Sequence, residues 1–217
     1  MNNSKRNEDK KGEIAVANFL DKYFYPNLPI KKFLRISSKA EQISGKDVLF
    51  TNKQENEFIV DEKAALHYVN MDIPTFAFEL SFINANGVLS DGWLFDDSKV
   101  TTHYLLIWVK SINKTPYIKS CNDITSLETL LISRSKVKKI LESNLLDKNN
   151  LLSLADVFRN KNINSSETKS EVHHKFKLFY TGKLAEKPIN IVISKKLLKD
   201  KCNAHYVVKS SGVNKIS

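Results

Sequence analysis

Two apolar runs, Val48–Thr51 and Phe58–Val60, flank the polar segment Asn52-Lys53-Gln54-Glu55-Asn56, and this arrangement constrains the fold more than any other stretch. Short runs rich in β-branched and aromatic residues, joined by a few polar ones, predict a β-hairpin. With the loop centred on Gln54, antiparallel pairing sets residue 49 opposite 59 and residue 47 opposite 61. Asp47 is therefore predicted to face Asp61. Two carboxylates about 5 Å apart across a strand pair repel each other unless a cation sits between them. Oxygen ligands with room for retained waters suit Mg2+, or the similar Mn2+, better than zinc. Strand alternation adds that Asp61 and Lys63 project to one side, while Val60 and Glu62 project to the other.

A third carboxylate lies upstream. From Gly12 the pattern is helical, with Ala17, Leu20 and Phe24 recurring at spacings of three and four, and Pro26 and Pro29 ending it. Glu13 stands four residues before Ala17, on the same stripe. A carboxylate on an inward face needs a partner, whereas one in an exposed first turn is favoured by the helix dipole; periodicity leaves both readings open. Residues 1–11 are polar and are expected to form a loose tail.

Further strands are expected at Phe76–Phe82, Trp93–Phe95, Tyr104–Val109, Phe176–Tyr180, Ile189–Ile193 and His205–Val208, where aromatic and β-branched residues are dense. Short helices are expected at Ser126–Leu131, Ser135–Glu142 and Leu151–Phe158, and a polar linker or exposed loop at Asn160–Ser170. The fold class is α/β. A chain of 217 residues can bury roughly 70% of its unfolded surface, enough for one compact domain or a core with a smaller appendage. With 41% hydrophobic and 27% charged residues and only 6 Gly and 5 Pro, collagenous and wholly disordered classes are excluded.

Charge divides the chain. The first 110 residues carry 14 Lys and Arg against 15 Asp and Glu, and the last 107 carry 20 against 9. We therefore expect a core over residues 12–110 and a basic, substrate-binding α+β region over 111–217, either separate or integrated into the same domain. A concentrated positive charge points to a polyanion. Arg134, Lys136, Lys138 and Lys139 form one basic cluster, and Lys195, Lys196, Lys199 and Lys201 a second; both are candidates for phosphate contact, against the simpler reading of a solvated face. No long Lys-rich helix with an aromatic face suggests a membrane surface, and no apolar run approaches the length of a bilayer span. The first residues lack the apolar core of a signal peptide, and Cys121 and Cys202 fit neither a disulfide framework nor a metal knuckle, so a cytoplasmic, reducing setting is expected.

The order carboxylate-x-Lys recurs by chance at Glu8, Asp9, Asp97 and Glu167. Asp61-x-Lys63 differs because it ends an apolar strand and has an Asp at hairpin register on the strand before. Asp96-Asp97-Ser98-Lys99, the nearest rival, reads as a polar turn. No HExxH, GxxxxGK[ST], GxGxxG or GxSxG pattern occurs, which leaves zinc hydrolase, nucleotide hydrolase, dinucleotide enzyme and serine hydrolase readings without an anchor.

A helix bearing Glu13, Gly45-Lys46-Asp47 entering a strand, and a strand ending in Asp61-Glu62-Lys63 together resemble the PD-(D/E)XK nuclease superfamily, to which type II restriction endonucleases and Holliday-junction resolvases belong. The resemblance covers residues 12–63 and extends to the sheet up to Val109. Lys46 stands where proline is usual, and Asp61 where glutamate is common. The resemblance implies a restriction-endonuclease-like mixed sheet flanked by helices, with Asp47, Asp61, the carbonyl of Glu62 and the accessory carboxylate of Glu13 around Mg2+ or Mn2+, and Lys63 as catalytic lysine. It also implies hydrolysis of DNA phosphodiesters, and a restriction-type homodimer on duplex DNA is the expected form. A junction resolvase, a mobile-element nuclease or an RNA nuclease would carry the same residues, and a non-enzymatic DNA-binding protein is the reading from another class.

Glu79, on the Ala77–Ser81 face of its strand, could join this site from a neighbouring strand or face solvent. His67 would continue the face of Asp61 and Lys63 if their strand ran so far. His103 reads as structural, and His173 and His174 as solvent-exposed.

Overall fold

The computed structural model describes residues 2–113, 117–160 and 175–217. In chain order the elements are α1 (Asn2–Tyr23), β1 (Ile30–Arg35), α2 (Lys39–Ile43), β2 (Val48–Asn52), β3 (Glu57–Ala64), β4 (Thr75–Ile83), β5 (Leu89–Asp91), β6 (His103–Ser111), β7 (Ile124–Ser133), α3 (Arg134–Glu142), α4 (Lys148–Asn160), β8 (Phe176–Tyr180), β9 (Ile189–Ser194), α5 (Lys195–Lys201), β10 (Ala204–Lys209) and β11 (Gly212–Lys215). The protein is mixed α/β.

Contacts group these elements into two units. The first comprises residues 1–73, 100–133 and 202–217, and the second 74–99 and 134–201. Neither follows the expected division at residue 110, because strands far apart in sequence complete one sheet.

In the first unit the strands run β1-β2-β3-β6-β7-β10-β11. Every described pair is antiparallel except β3–β6, where Asp61 stands beside Tyr104 and Lys63 beside Leu106. Parallel neighbours need a crossover rather than a tight turn. Here the crossing chain includes the first segment of the second unit. Phe19, Leu20, Phe24 and Tyr25 are buried against Val48, Phe50, Val60, Leu105 and Ile107. The apolar stripe of α1 thus covers the sheet face that carries Val60. The helix begins at Asn2, so the residues expected as a tail form its first turns. Lys, Arg, Glu and Asp in that stretch tolerate helical geometry, and the packed stripe that follows supplies the stability.

The expected helix at Ser126–Leu131 is instead the middle of β7. Leu127 and Leu130 are fully buried at a helix-like spacing of three, but β7 lies between β6 and β10, where leucines can be buried on either face. A central strand covered on both sides loses its alternation, and the period misleads.

The second unit has the sheet β5-β4-β9-β8. Phe76, Phe78 and Leu80 on β4, Ile189, Ile191 and Ile193 on β9, and Phe176, Leu178 and Tyr180 on β8 are buried. Helices α3 and α4 bury Val137, Ile140, Leu141, Leu151, Ala155 and Phe158. Trp93–Phe95 is a turn and not the strand expected there. At Gly92 a Cβ would stand 2.4 Å from the Glu79 carbonyl oxygen, so the chain approaches β4 too closely for any side chain and leaves the sheet. Asp96–Lys99 forms the expected polar turn, with Asp96 accepting from the amide and hydroxyl of Ser98. Residues 161–170 of the expected linker, together with His173 and His174, lie outside the described residues. Among the described residues, no helix is long and apolar enough to cross a membrane.

Candidate active site on the acidic hairpin

The β2–β3 register pairs Val48 with Val60, Leu49 with Ile59, Phe50 with Phe58 and Thr51 with Glu57, as the loop length predicts. Asn52 closes the turn, its side chain accepting from the amides of Gln54 and Asn56. At the other end Gly45 takes a φ of 82°, a conformation that favours glycine, and its carbonyl accepts from the buried hydroxyl of Thr101 at 2.7 Å. That anchor aims the chain into β2 and places Asp47 just before it.

Asp47 is tied into the ladder through its own backbone. Its N–H donates to the Val60 carbonyl at 3.0 Å, and its carbonyl accepts from the Ile36 N–H at 2.9 Å. Its side chain then takes the next donor on β3, accepting from the Glu62 N–H at Oδ2, 2.8 Å away. Asp61 is buried, and Lys63 Nζ lies 2.6 Å from its Oδ1. Asp61 and Lys63 therefore share a face, while Glu62 points the other way.

The charges at this end of the hairpin act on one another. Burial first, and then the charge of Asp61, lift the pKa of Asp47 to about 7 against the pull of the Glu62 N–H and Lys63. Burial works against the charge of Lys63, but its ion pair and hydrogen bond with Asp61, aided by Asp47 and Glu13, raise its pKa. Glu13 is exposed by surface area, yet enough protein surrounds its carboxyl for burial to raise its pKa, with Lys63 opposing that rise. Its interaction with Lys63 links α1 to the hairpin. Lys63 thus feels the charges of Asp61, Asp47 and Glu13 together.

Among the described residues, no three His, Cys, Asp or Glu side chains form a ready metal cage. The donors available at the hairpin are two carboxylates and main-chain carbonyls. That set suits a hard divalent ion that keeps several waters.

Other expected residues fall elsewhere. Glu79 stands on β4 of the second unit, opposite Asn190, and so belongs to a different sheet from Asp47 and Asp61. Strand β3 ends at Ala64, and His67 sits in a short 3-10 turn, exposed and 3.9 Å from Asp9, so it does not continue the face of Lys63. His103 packs against Phe58 and approaches the Thr102 hydroxyl, a structural setting as expected.

All eight basic candidates lie in the second unit. Arg134 donates to the carbonyls of Leu94, Asp96 and Lys99, which commits its guanidinium within the protein rather than to phosphate. Lys138 pairs with Asp97 at 3.5 Å. Lys139 on α3 and Lys196 on α5 are exposed, whereas Lys136 and Lys195 are partly buried.

A constellation not expected from the sequence backs the hairpin. Glu62 accepts from Tyr25 Oη at 2.6 Å and from Arg35 at 2.7 and 2.9 Å. Arg35 in turn grips Asp21. The available signal was Glu62 itself, a carboxylate on the face of buried Val60, which requires partners.

Comparisons of the chain with protein-family models, with curated proteins and with solved structures returned no match.

Proposed function

We propose that this chain is a metal-dependent endonuclease that hydrolyses DNA phosphodiesters, with Asp47, Asp61 and the Glu62 carbonyl as ligands for Mg2+ or Mn2+. One observation carries the reading: at the end of the hairpin Asp47 is held by the Glu62 N–H at 2.8 Å and Asp61 by Lys63 at 2.6 Å on the same face, where burial first and then the charge of Asp61 lift the Asp47 pKa to about 7. Such an arrangement is costly unless a cation relieves it. A structural salt bridge between Lys63 and Asp61 alone would need no second carboxylate beside it.

The residues divide the work. A divalent ion held here would neutralise charge building on the phosphate and make water a stronger nucleophile. Lys63 supplies a compact positive charge beside it, able to orient the scissile phosphate or the attacking water. Glu13 adds an accessory carboxylate from α1, its pKa raised by burial with Lys63 opposing that rise. The mixed sheet with α1 across one face supports a restriction-endonuclease-like core. A net charge of +10 supports a polyanionic substrate. A homodimer would present two such sites and so cut both strands of duplex DNA in one binding event.

The test is cleavage of supercoiled plasmid by wild type, Asp61→Ala and Lys63→Ala, with Mg2+ or with EDTA. The proposal predicts Mg2+-dependent cleavage by wild type, at least 100-fold slower cleavage by both variants, and DNA binding retained. Salt-sensitive binding without cleavage on plasmid, branched DNA and RNA would instead assign a non-enzymatic DNA-binding protein.

A further inference from the structure

Glu62 stands between the two acidic residues' supports, and its two ends do different things. Its amide, on the hairpin side, holds Oδ2 of Asp47 at 2.8 Å. Its side chain, only 10% exposed, enters the opposite side of the sheet, where Tyr25 and Arg35 satisfy both carboxylate oxygens. The guanidinium is itself fixed by a fork onto Asp21, at 2.7 and 3.1 Å, by the Ala17 carbonyl at 3.4 Å, and by the Tyr25 ring 5.8 Å from its centre. Tyr25 is 1% exposed and stacks on Phe33. Helix α1, the turn after it and strand β1 thus converge on one carboxylate.

That carboxylate belongs to the residue between Asp61 and Lys63. A planar fork bound at both ends allows little rotation, so fixing Glu62 fixes the peptide planes that carry its neighbours. Without Arg35, a nearly buried carboxylate would keep only the tyrosine hydroxyl and would turn towards water. The strand would turn with it, and the Glu62 amide would leave Asp47.

We infer that the Tyr25–Glu62–Arg35–Asp21 network is a positioning device for the acidic hairpin: by clamping the Glu62 side chain from behind, it sets the Glu62 amide against Asp47 and the spacing of Asp61 and Lys63 in front. None of the four touches the reacting face through its side chain. Arg35 and Tyr25 are positioning residues, and this role rests on the nuclease reading of that face.

The experiment uses the full chain and two readouts. Hydrogen–deuterium exchange of the Glu62 amide, without metal, reads the clamp alone. We expect Arg35→Met to speed that exchange at least 10-fold relative to the Ile59 amide, and Tyr25→Phe, which keeps the ring and its stacking, to speed it by 3-fold or more. Cleavage at varied Mg2+ reads the consequence: kcat falls at least 10-fold and the half-saturating Mg2+ rises in both variants, while the affinity for DNA stays within 2-fold. Should Arg35→Met fail to fold, Tyr25→Phe carries the same test. Lowered thermal stability with the Glu62 amide, kcat and Mg2+ dependence all unchanged would overturn the inference and leave a merely structural ion pair. If the amide responds but wild type cleaves nothing, the clamp stands as a determinant of hairpin geometry and the nuclease reading fails.

Discussion

The Glu62 N–H donates to Asp47 Oδ2 at 2.8 Å, across the point where the β2–β3 ladder ends. A side chain there replaces a ladder bond, so the hairpin ends on a carboxylate instead of on backbone. Asp47 is held while being crowded by Asp61.

That crowding has a pH signature. An acid whose pKa is raised on folding holds its proton more tightly folded than unfolded, so its contribution to stability is lost as pH rises from about 4 to about 7 and stays lost above. Asp47→Asn keeps an oxygen for the Glu62 amide and removes the charge. Without metal, the variant should melt higher than wild type, by more at pH 8 than at pH 5. Equal shifts at both pH values, read by thermal denaturation, would mean that Asp47 ionises without cost.

Removing a partner from the clamp tests the other side of β3. Glu62→Ala leaves Arg35 with Asp21 and the Ala17 carbonyl in a largely enclosed place. Breaking a buried pair in this way costs about 3–5 kcal/mol, and the 24% exposure of Arg35 reduces that to about 2–3. Urea unfolding followed by fluorescence measures it.

In the core, Leu127→Ala removes a fully buried side chain from the middle of β7 and should cost about 2–5 kcal/mol.

Gly92→Ala puts a Cβ 2.4 Å from a main-chain oxygen of β4, an atom that cannot swing aside. Destabilisation of about 1–3 kcal/mol is expected. Exchange of amides on β4 and β9 should rise, and those on β2 and β3 should not.

How much of this was legible in the sequence depended on range. The β2–β3 register was, because loop length and alternation are local properties, and the influence of Asp61 on Asp47 agrees with it. Strand β1 was not, since Ile30–Arg35 is an edge strand whose Lys31, Lys32 and Arg35 mask its alternation. Strand β7 looked helical because its burial is decided by β6 and β10, the latter about 77 residues away, as the Glu128–His205 contact illustrates. Charge misplaced the unit boundary for the same reason: Cys202–Ser217 returns to the first unit after the basic stretch has ended. Arg35 could have been sought as the partner of Glu62, but only the fold shows that residues 27 and 37 positions away meet there.

The proposed role of the paired carboxylates is to hold a divalent ion. Electron paramagnetic resonance of Mn2+, titrated into wild type and into the double variant Asp47→Asn/Asp61→Asn at pH 8, measures this. Wild type is expected to bind saturably, and the variant at least 10-fold more weakly. Equal binding by both proteins, or none by wild type with DNA present, would contradict it.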